Sequence, residues 1–598
     1  MHFIALPLET ITNILGQARP IDIRRCQLVC RHLRQLVTSS SYLQYILELD
    51  SCGYTVPLIS RSDLSYEEMI KMLREHREAW QDPSSRSTEF IKILPRERVN
   101  SYIADGVFTY GHTDKKDQLE HNPTIDEIHF HRLRSTNKGT GYEHWHHHDF
   151  GFPIEAFAIQ PEIDLLVLVE GTVLKEQIER HHMIGMMTRV YKSYRLHFQT
   201  ISANTPHVLS SSTFLDTGLG GVSSIKEPIG TQLTVSLNGR MIMLVGSTNH
   251  STTERTIGVW DWVEGTEILR ISVPTYPLHN HQSIPCCHAY LLSEEYLAVF
   301  RFDDEASPPT NSQDTKLGHF DTYQLRAQPG ARWFTRFELP SSSVPEVERE
   351  VTMLYRSAGL PWTPDWLSKL QYAPRIYETA PQNRLFCLFL TIWTIQRSNT
   401  GAVLDRRPYH PLVHVPVQAL LSHLGAKYDN HPTVIPWSDW GRQVCWVDTS
   451  SWAYPPVTHS DVSGLRHSIR DFHYYTLSDN QTIKPARDMQ AILDFDPQRI
   501  KLTRAIEIRP GGSNNQASHS EFMAHLNTSS NRKRIFETPV NLVTPYIHTS
   551  LNLRPLPPDD AFLTSCLIDD EHILILVKGH KDEMNHLVPL VAFHAYTL

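Results

Sequence analysis

Several features are missing from this 598-residue chain, and each absence excludes a class of protein. No apolar run is long enough to span a bilayer, because the longest, from Leu385 to Ile395, is interrupted by threonines and flanked by arginines. The start of the sequence lacks the basic and apolar regions of a secretory signal, since Pro7 and Glu9 interrupt it. We therefore predict no membrane partner and a cytoplasmic or nuclear location.

The chain also lacks a strong charge and the motifs of common enzymes. Its 56 basic and 65 acidic residues leave a net charge of −9, which is mild for this length and disfavours a dedicated nucleic-acid binder. G-x-S-x-G and H-E-x-x-H are absent, and Gly218-Leu219-Gly220-Gly221 has Ser223 at the third glycine position of a phosphate loop. We predict no catalytic residue, no cofactor and no enzymatic activity.

The sequence also lacks the C-x-x-C motif, whereas histidine is abundant. None of the 8 cysteines forms a C-x-x-C pair, so the sequence supports neither a cysteine-based zinc motif nor a thioredoxin-like motif. The 34 histidines outnumber the 27 glycines, and four of them lie in Glu143-His144-Trp145-His146-His147-His148-Asp149. This cluster could bind zinc or nickel. Strand alternation would turn His147 away from His146 and His148, so we predict an exposed loop or strand end and no metal site.

The first eighty residues have helical periodicity. Ile11, Ile14 and Leu15 form one apolar face after Pro7, which suits the first turn of a helix. A second apolar stripe has spacings of 3, 1, 3, 3 and 1, and consists of Cys26, Val29, Cys30, Leu33, Leu36 and Val37. Ser65 and Glu68 fit a capping box before another helix. We predict an all-α module at residues 1–50 and a helical spacer and linker at residues 51–95.

From about residue 100 the pattern changes to short strands separated by Gly, Pro, Asn and Asp. Asn238-Gly239 indicates a tight hairpin between Leu233–Leu237 and Met241–Val245. A two-strand unit recurs at irregular spacing and is clearest at 233–273. Its first strand is apolar, and its second has aromatic residues at alternate positions. We predict a large mainly-β domain at residues 96–598, with loop insertions near 301–316, 340–364 and 511–534. The whole chain is then of the α+β class.

The N-terminal module resembles an F-box of the fungal type. Four blocks fall at the family's order and distances: Leu6-Pro7-Leu8-Glu9-Thr10-Ile11 with Ile14-Leu15, then Pro20-Ile21-Asp22-Ile23, then Val29 to Val37, then Tyr42-Leu43. The resemblance covers about residues 4–49. It implies a small helical fold that binds a Skp-type adaptor and, through it, a cullin–RING ubiquitin ligase.

The same resemblance implies the residues of the adaptor-binding site. They are Leu6, Pro7, Glu9, Ile11, Ile14, Leu15, Pro20, Ile23, Val29, Cys30, Leu33, Leu36 and Leu43. Physical reasoning favours a partner too, because a fifty-residue helical piece cannot bury all of these apolar faces internally. An ordinary helical hairpin core would show the same periodicity.

The remainder resembles, more loosely, the β-propeller portion of fungal F-box proteins. Gly258-Val259-Trp260-Asp261-Trp262 is similar to a WD-type blade strand, and Ser463-Gly464-Leu465-Arg466 and Ile568–Ile573 also fit that group. The resemblance implies a β-propeller of six or seven blades, within the usual range of about four to eight.

Three functions remain open at this point. The first is a substrate-recognition subunit of an SCF-type ubiquitin ligase, which binds its adaptor through the F-box and an unknown protein substrate through the β domain. The alternative is a propeller-fold enzyme or ligand-binding protein whose helical N-terminus is only structural. The third is an F-box protein that binds its adaptor without directing ubiquitylation.

Overall fold

The structure is a computed structural model, and most of the chain is described in it. The described residues are 6–83, 88–96, 98–113, 124–181, 185–224, 233–246, 254–274, 288–301, 315–316, 318–325, 333–342, 347–356, 373–380, 383–397, 403–409, 411–424, 433–448, 461–463, 465–471, 489–495, 500, 520–523, 546–551, 562–578 and 590–598. Among these residues, no helix is long and apolar enough to cross a membrane.

Five helices form the N-terminal part, as the periodicity predicts. They are α1 (Leu8–Gly16), α2 (Pro20–Val29), α3 (Arg31–Ser39), α4 (Ser41–Ser51) and α5 (Tyr66–Gln81). Ser40 caps α4, because its hydroxyl accepts a hydrogen bond from the Leu43 backbone N–H at 3.4 Å. The predicted capping box of α5 is confirmed, since the Ser65 N–H donates to the Glu68 carboxylate (2.8 Å) and the Glu68 N–H donates to the Ser65 hydroxyl (3.3 Å).

Seven sheets of four or five strands follow the helices, and we number them as blades 1 to 7. Blade 1 contains Thr88–Arg96, Leu590–Thr597, His572–Lys578 and Phe562–Ile568. Blade 2 contains Arg98–Ala104, Val107–His112, Glu127–Arg132 and Glu143–His148. Blade 3 contains Ile154–Gln160, Leu165–His181, Gly185–Thr200 and Phe214–Ser224. Blade 4 contains Thr234–Asn238, Met241–Gly246, Glu254–Asp261 and Thr266–Pro274.

The last three blades each have a fifth strand. Blade 5 contains His288–Leu291, Tyr296–Arg301, His319–Gln324, Trp333–Glu338 and Thr433–Ile435. Blade 6 contains Val347–Arg356, Leu385–Arg397, Val403–Tyr409, Pro411–Pro416 and Cys445–Asp448. Blade 7 contains Asp461–Ser463, Arg466–Asp471, Met489–Asp494, Tyr546–Leu551 and Ser520–Met523. Short helices lie at Val417–Leu421 and Trp437–Trp440, and 3₁₀ turns lie at Pro161–Ile163 and Gly441–Gln443. Two pairs of two-residue strands complete the described elements: Tyr54–Thr55 pairs with Glu378–Thr379, and Thr315–Lys316 pairs with Ser341–Ser342.

The blades pack face to face in chain order and close into a ring. Apolar side chains of neighbouring blades share a core at successive interfaces, for example Phe108 with Phe593 between blades 2 and 1, and Phe320 with Phe386 between blades 5 and 6. Blade 7 returns to blade 1 through Ile492, which packs with Ile575. This arrangement is a β-propeller, so the predicted fold class and the predicted six or seven blades are confirmed.

The ring is closed by strands from distant parts of the chain. Thr88–Arg96 pairs antiparallel with Leu590–Thr597, with Thr88 opposite Tyr596 and Ile91 opposite Phe593. This pairing completes blade 1 with strands from the two ends of the β region. The domain boundary predicted at residues 95 and 96 therefore needs correction, because the β domain already begins at Thr88.

Other predicted segments have mixed outcomes. The hairpin at Asn238-Gly239 is confirmed, with Asn238 opposite Met241 and a positive φ of 56° at Gly239. The insertion predicted near 340–364 is wrong in part, because residues 347–356 form a strand of blade 6. Its period-2 pattern is interrupted by charged residues, which explains the error. Residues 302–314, 343–346, 357–364, 511–519 and 524–534 of the predicted insertions lie outside the described residues, and Ser520–Met523 within the last insertion forms a strand of blade 7.

Helix α5 is not a free spacer, because its C-terminal half is buried in the propeller. Ala79 and Trp80 pack into the core shared by blades 1 and 7. The His76 imidazole connects four groups: its Nδ1 lies 3.2 Å from the Leu598 carbonyl, and its Nε2 lies 2.9 Å from the Tyr54 hydroxyl and 3.2 Å from both the Tyr377 hydroxyl and the Trp80 indole nitrogen. The helical module is thus held in one orientation on the propeller.

A second buried network joins two turns of blade 2, which contain Asp105 and Asn137, to the 373–380 segment, which contacts helix α4. Arg375, almost fully buried, forms a bidentate pair with Asp105 at 2.8 and 2.7 Å, and Lys138 lies 2.7 Å from the same carboxylate. The Asn137 side-chain oxygen accepts hydrogen bonds from the backbone of Ile376 and Tyr377. Because these charges are paired in the interior, loss of one partner would leave a buried charge uncompensated.

Asp569 and His572 form another buried ion pair at the turn before the strand His572–Lys578 of blade 1. His572 Nδ1 lies 2.9 Å from Asp569, which also accepts the Gly106 N–H at 2.7 Å. Burial by itself would lower the pKa of His572, but the Asp569 carboxylate raises it to about 9. Burial would likewise raise the pKa of Asp569, but the His572 imidazolium and backbone N–H groups lower it to about 2.

We expect this pair to make folding stability fall at alkaline pH. The His572 pKa is higher in the folded chain than the ordinary value of 6.5, so its contribution is fully present below pH 6.5 and is lost as pH rises through 9. His572→Gln should destabilise the protein by about 3–5 kcal/mol at pH 6 and remove this alkaline decline in the melting temperature. Thermal melts from pH 6 to pH 10, with the exposed His32→Gln as control, test this; an unchanged decline in His572→Gln would contradict it.

Candidate adaptor-docking surface and histidine ladder

Six of the thirteen predicted adaptor-binding residues form the interior of the helical module. They are Ile11, Leu15, Ile23, Leu33, Leu36 and Leu43, each less than a tenth exposed. A buried side chain cannot contact a partner while the module stays closed. The structure places these six side chains in the core, because four short helices pack on one another through them, and their role in adaptor binding stays a prediction.

The other seven predicted residues reach the surface at least in part. Pro7, Glu9, Ile14 and Val29 are exposed, and Leu6, Pro20 and Cys30 are half-buried. Val29 stands out, because 72% of its surface is exposed at the last position of α2. Cys30 caps the next helix, since its sulfur accepts the Leu33 N–H at 3.5 Å.

Three further apolar side chains of the module are exposed and were missed by the sequence reasoning. Leu8 is 51%, Ile21 46% and Leu28 77% exposed. Ile21 and Leu28 are seven residues apart, so they share one face of α2, and that face is opposite to the buried Ile23. The seven-residue spacing of Ile21 and Leu28 indicates, from the sequence alone, a second apolar face on this helix. We define the docking surface as Leu8, Ile14, Ile21, Leu28 and Val29, which are all on α1 and α2.

The histidine cluster forms a ladder of stacked rings on one face of blade 2. We define the histidine ladder as His129, His131, His144, His146 and His148. His131 lies opposite His144 in the strand register, and their ring centroids are 4.3 Å apart. His146 and His148 stack at 5.6 Å on the exposed edge strand. His147 faces the other way, as predicted, with its Nε2 2.7 Å from the Ile201 carbonyl oxygen.

The two ladder histidines on the strand Glu127–Arg132 have lowered pKa values. Burial, together with His144 and His129, lowers the pKa of His131 to about 3. Burial lowers the pKa of His129 to about 4, with Glu127 opposing and His144 and His146 adding to the shift. Nearly parallel rings present faces to one another, so their in-plane nitrogens do not converge on one point. Among the described residues, the group whose ligand atoms can share one ion lies elsewhere, at Cys387, His414 and His467.

The comparisons with known proteins agree with the helical module. The family model described as F-box-like matches residues 3–44. The N-terminal segment is thus an F-box-like domain, and the chain joins it to a β-propeller. No curated protein matches the chain.

Solved structures with similar architecture are distant. They include an uncharacterized protein, lmo1340, from Listeria monocytogenes EGD-e (9% identity, 58% of this chain and 89% of that chain, TM-score 0.24). They also include Drosophila Plexin A in complex with Semaphorin 1b (10%, 86% and 88%, TM-score 0.31) and the phage phi92 endosialidase (8%, 86% and 70%, TM-score 0.24). At these TM-scores they carry no argument about this chain.

We expect truncation of a core residue to lower the stability of the module much more than truncation of a docking-surface residue. Ile23→Ala removes a fully buried side chain and should cost about 2–4 kcal/mol of local stability. Leu28→Ala removes an exposed one and should change stability by no more than about 0.5 kcal/mol. Hydrogen exchange of the α1–α4 amides measures both; equal protection loss in the two variants would contradict the placement of these residues.

We expect the ladder to make blade 2 acid-sensitive. The His129 and His131 pKa values are lower in the folded chain than the ordinary 6.5, so the unfolded chain binds protons first and stability falls as pH drops below 6.5. His131→Phe preserves stacking and removes one of these imidazoles, so the fall between pH 6.5 and pH 4 should become shallower. Thermal melts across this range test it, and a slope equal to that of the wild-type protein would argue against it. His32→Gln is the control.

Proposed function

We propose that this protein is the substrate-recognition subunit of an SCF-type cullin–RING ubiquitin ligase. The F-box-like domain would bind a Skp-type adaptor, and the propeller would bind a protein substrate. The observation that carries the proposal is the match of residues 3–44 to the F-box-like family. The protein itself would perform no chemistry; it would raise the effective concentration of a substrate lysine near the ligase's charged conjugating enzyme.

The exposed apolar side chains of α1 and α2 support the adaptor-binding part. Leu28 and Val29 are each more than 70% exposed at the end of a short helix, where water contact with large apolar side chains is unfavourable. Partner sites typically contain such side chains. Half-buried Leu6, Pro20 and Cys30 would form the edge of the site, and the six buried residues would fix its shape.

The rigid attachment of α5 supports the receptor part. A receptor that positions a substrate gains most when the distance between its two binding sites is fixed. His76 and Trp80 hold the helices on blades 1 and 7, and the Asp105–Arg375 pair holds the contacting segment on blade 2. The substrate site would lie on propeller loops, because loops on a rigid scaffold usually carry binding residues.

We expect adaptor binding to depend on the docking surface and not on exposed apolar residues elsewhere. The double variant Ile21→Glu/Leu28→Glu should bind a purified Skp-type adaptor roughly 900-fold more weakly, because two anchors that each contribute ~2 kcal/mol together contribute about 4 kcal/mol. Val208→Glu is a matched control, since Val208 is 80% exposed on blade 3 and should not affect binding. Affinity is measured by calorimetry with the full chain.

Three outcomes separate the possible functions. A wild-type chain that fails to bind the adaptor would overturn the proposal and favour a propeller protein with a structural helical N-terminus. Proximity labelling with Ile21→Glu/Leu28→Glu, which keeps the propeller, should accumulate substrates relative to wild type. If the adaptor binds but no labelled protein changes its turnover when the gene is removed, the protein binds its adaptor without directing ubiquitylation.

A further inference from the structure

One cysteine and two histidines bring their ligand atoms together in the interior between blades 6 and 7, and a second cysteine, Cys445, lies on the next strand of blade 6. Cys387, His414 and Cys445 lie on three neighbouring strands of blade 6, and His467 lies on blade 7. All four side chains are buried, at 2% exposure or less. They are 27, 31 and 22 residues apart in sequence order, so no short motif reveals them.

The strand register places the three blade 6 residues in one row. Cys387 is directly opposite His414, and His414 is directly opposite Cys445. Directly opposed residues in antiparallel strands project from the same face of the sheet. The row is therefore thiol, imidazole, thiol, and it faces the strand of blade 7 that carries His467.

The distances between the side chains suit a tetrahedral ion. His467 Nδ1 lies 3.7 Å from Cys387 Sγ and 2.9 Å from His414 Nε2. The three ligand atoms lie within 4.8 Å of one another. Tetrahedral zinc, with bonds of about 2.3 Å to sulfur and 2.0–2.1 Å to nitrogen, puts S···N at about 3.6 Å and N···N at about 3.3 Å. The observed spacings differ from these by a few tenths of an ångström.

The two cysteines are too far apart for a disulfide. They flank the strand of His414, so their Cα atoms are two strand spacings apart, about 9.5 Å. A disulfide needs Cα atoms closer than about 7 Å. An ion between them has no such limit, because each sulfur needs to reach only the central point.

We propose that Cys387, His414 and His467 bind a structural zinc ion that joins blade 6 to blade 7, with Cys445 as the fourth ligand. Thiolate and imidazole ligands suit Zn²⁺ better than hard cations, which prefer oxygen. Binding releases the two thiol protons, and two thiolates then neutralise the dication. A neutral cluster is the form that an apolar interior accepts at least cost. The four protein ligands leave no position for a substrate, so the site is structural.

The first test is the metal content of the full chain, purified without added metal or chelator. We expect about one zinc per chain by mass spectrometry of the elements. Cys387→Ser and His467→Gln should reduce this content roughly tenfold or more. Cys566→Ser, another buried cysteine in blade 1, and His144→Gln/His146→Gln in the histidine ladder are the matched controls and should retain the zinc.

The second test uses the wild-type chain, so its result does not depend on whether a variant folds. Cobalt added to the metal-free wild-type chain should give a tetrahedral spectrum with a thiolate-to-cobalt charge-transfer band. The histidine ladder contains no cysteine, so it cannot produce this band. Absence of both zinc and the cobalt band would overturn the proposal and leave a hydrogen-bonded imidazole pair. Zinc that is lost from the ladder variant and retained in Cys387→Ser would overturn it as well.

Discussion

The position of the helical module depends on the burial of one polar hub, His76, beside Trp80. An imidazole in a protein interior is unfavourable unless both of its nitrogens have partners. His76 finds them on α5, the 54–55 strand, the 373–380 segment and Leu598, which follows the strand Leu590–Thr597 of blade 1. Since these elements come from separate parts of the chain, they must all be in place before the hub is satisfied, and this requirement fixes the F-box-like domain on the propeller.

Closure of the ring imposes a second constraint. The strand that follows α5 is paired with Leu590–Thr597, so the helices and the two ends of the β region meet at blade 1. The Asp569–His572 pair and the Asp105–Arg375 pair lie at this meeting point. Buried ion pairs contribute little net stability relative to apolar packing, but they penalise any arrangement that separates them. They therefore favour one relative placement of blades 1 and 2 and the helices.

The two histidine clusters, of which only the one between blades 6 and 7 includes cysteine, illustrate how burial changes the role of the same residue type. The histidine ladder is conspicuous in the sequence, and its rings stack along blade 2 from the buried His131 to the exposed edge strand. Cys387, His414 and His467 are scattered in the sequence and meet in a buried interface between blades 6 and 7. If zinc binds there, it joins blade 6 to blade 7, and the relative placement of these two blades would depend on the metal.

The sequence by itself determined what depends on local order. Helical periodicity, the Ser65–Glu68 capping box, the Asn238-Gly239 turn and the F-box block order are all short-range patterns, and each predicted its element. The tertiary structure decided everything that depends on contacts between distant segments. The pairing of Thr88–Arg96 with Leu590–Thr597 moved the domain boundary, the packing of four helices buried Ile11 and Ile23 and left Leu28 exposed, and strand register assembled Cys387 with His414. Periodicity shows which apolar side chains share one face of a helix. Which of those faces is buried and which stays exposed depends on the elements that pack against the helix.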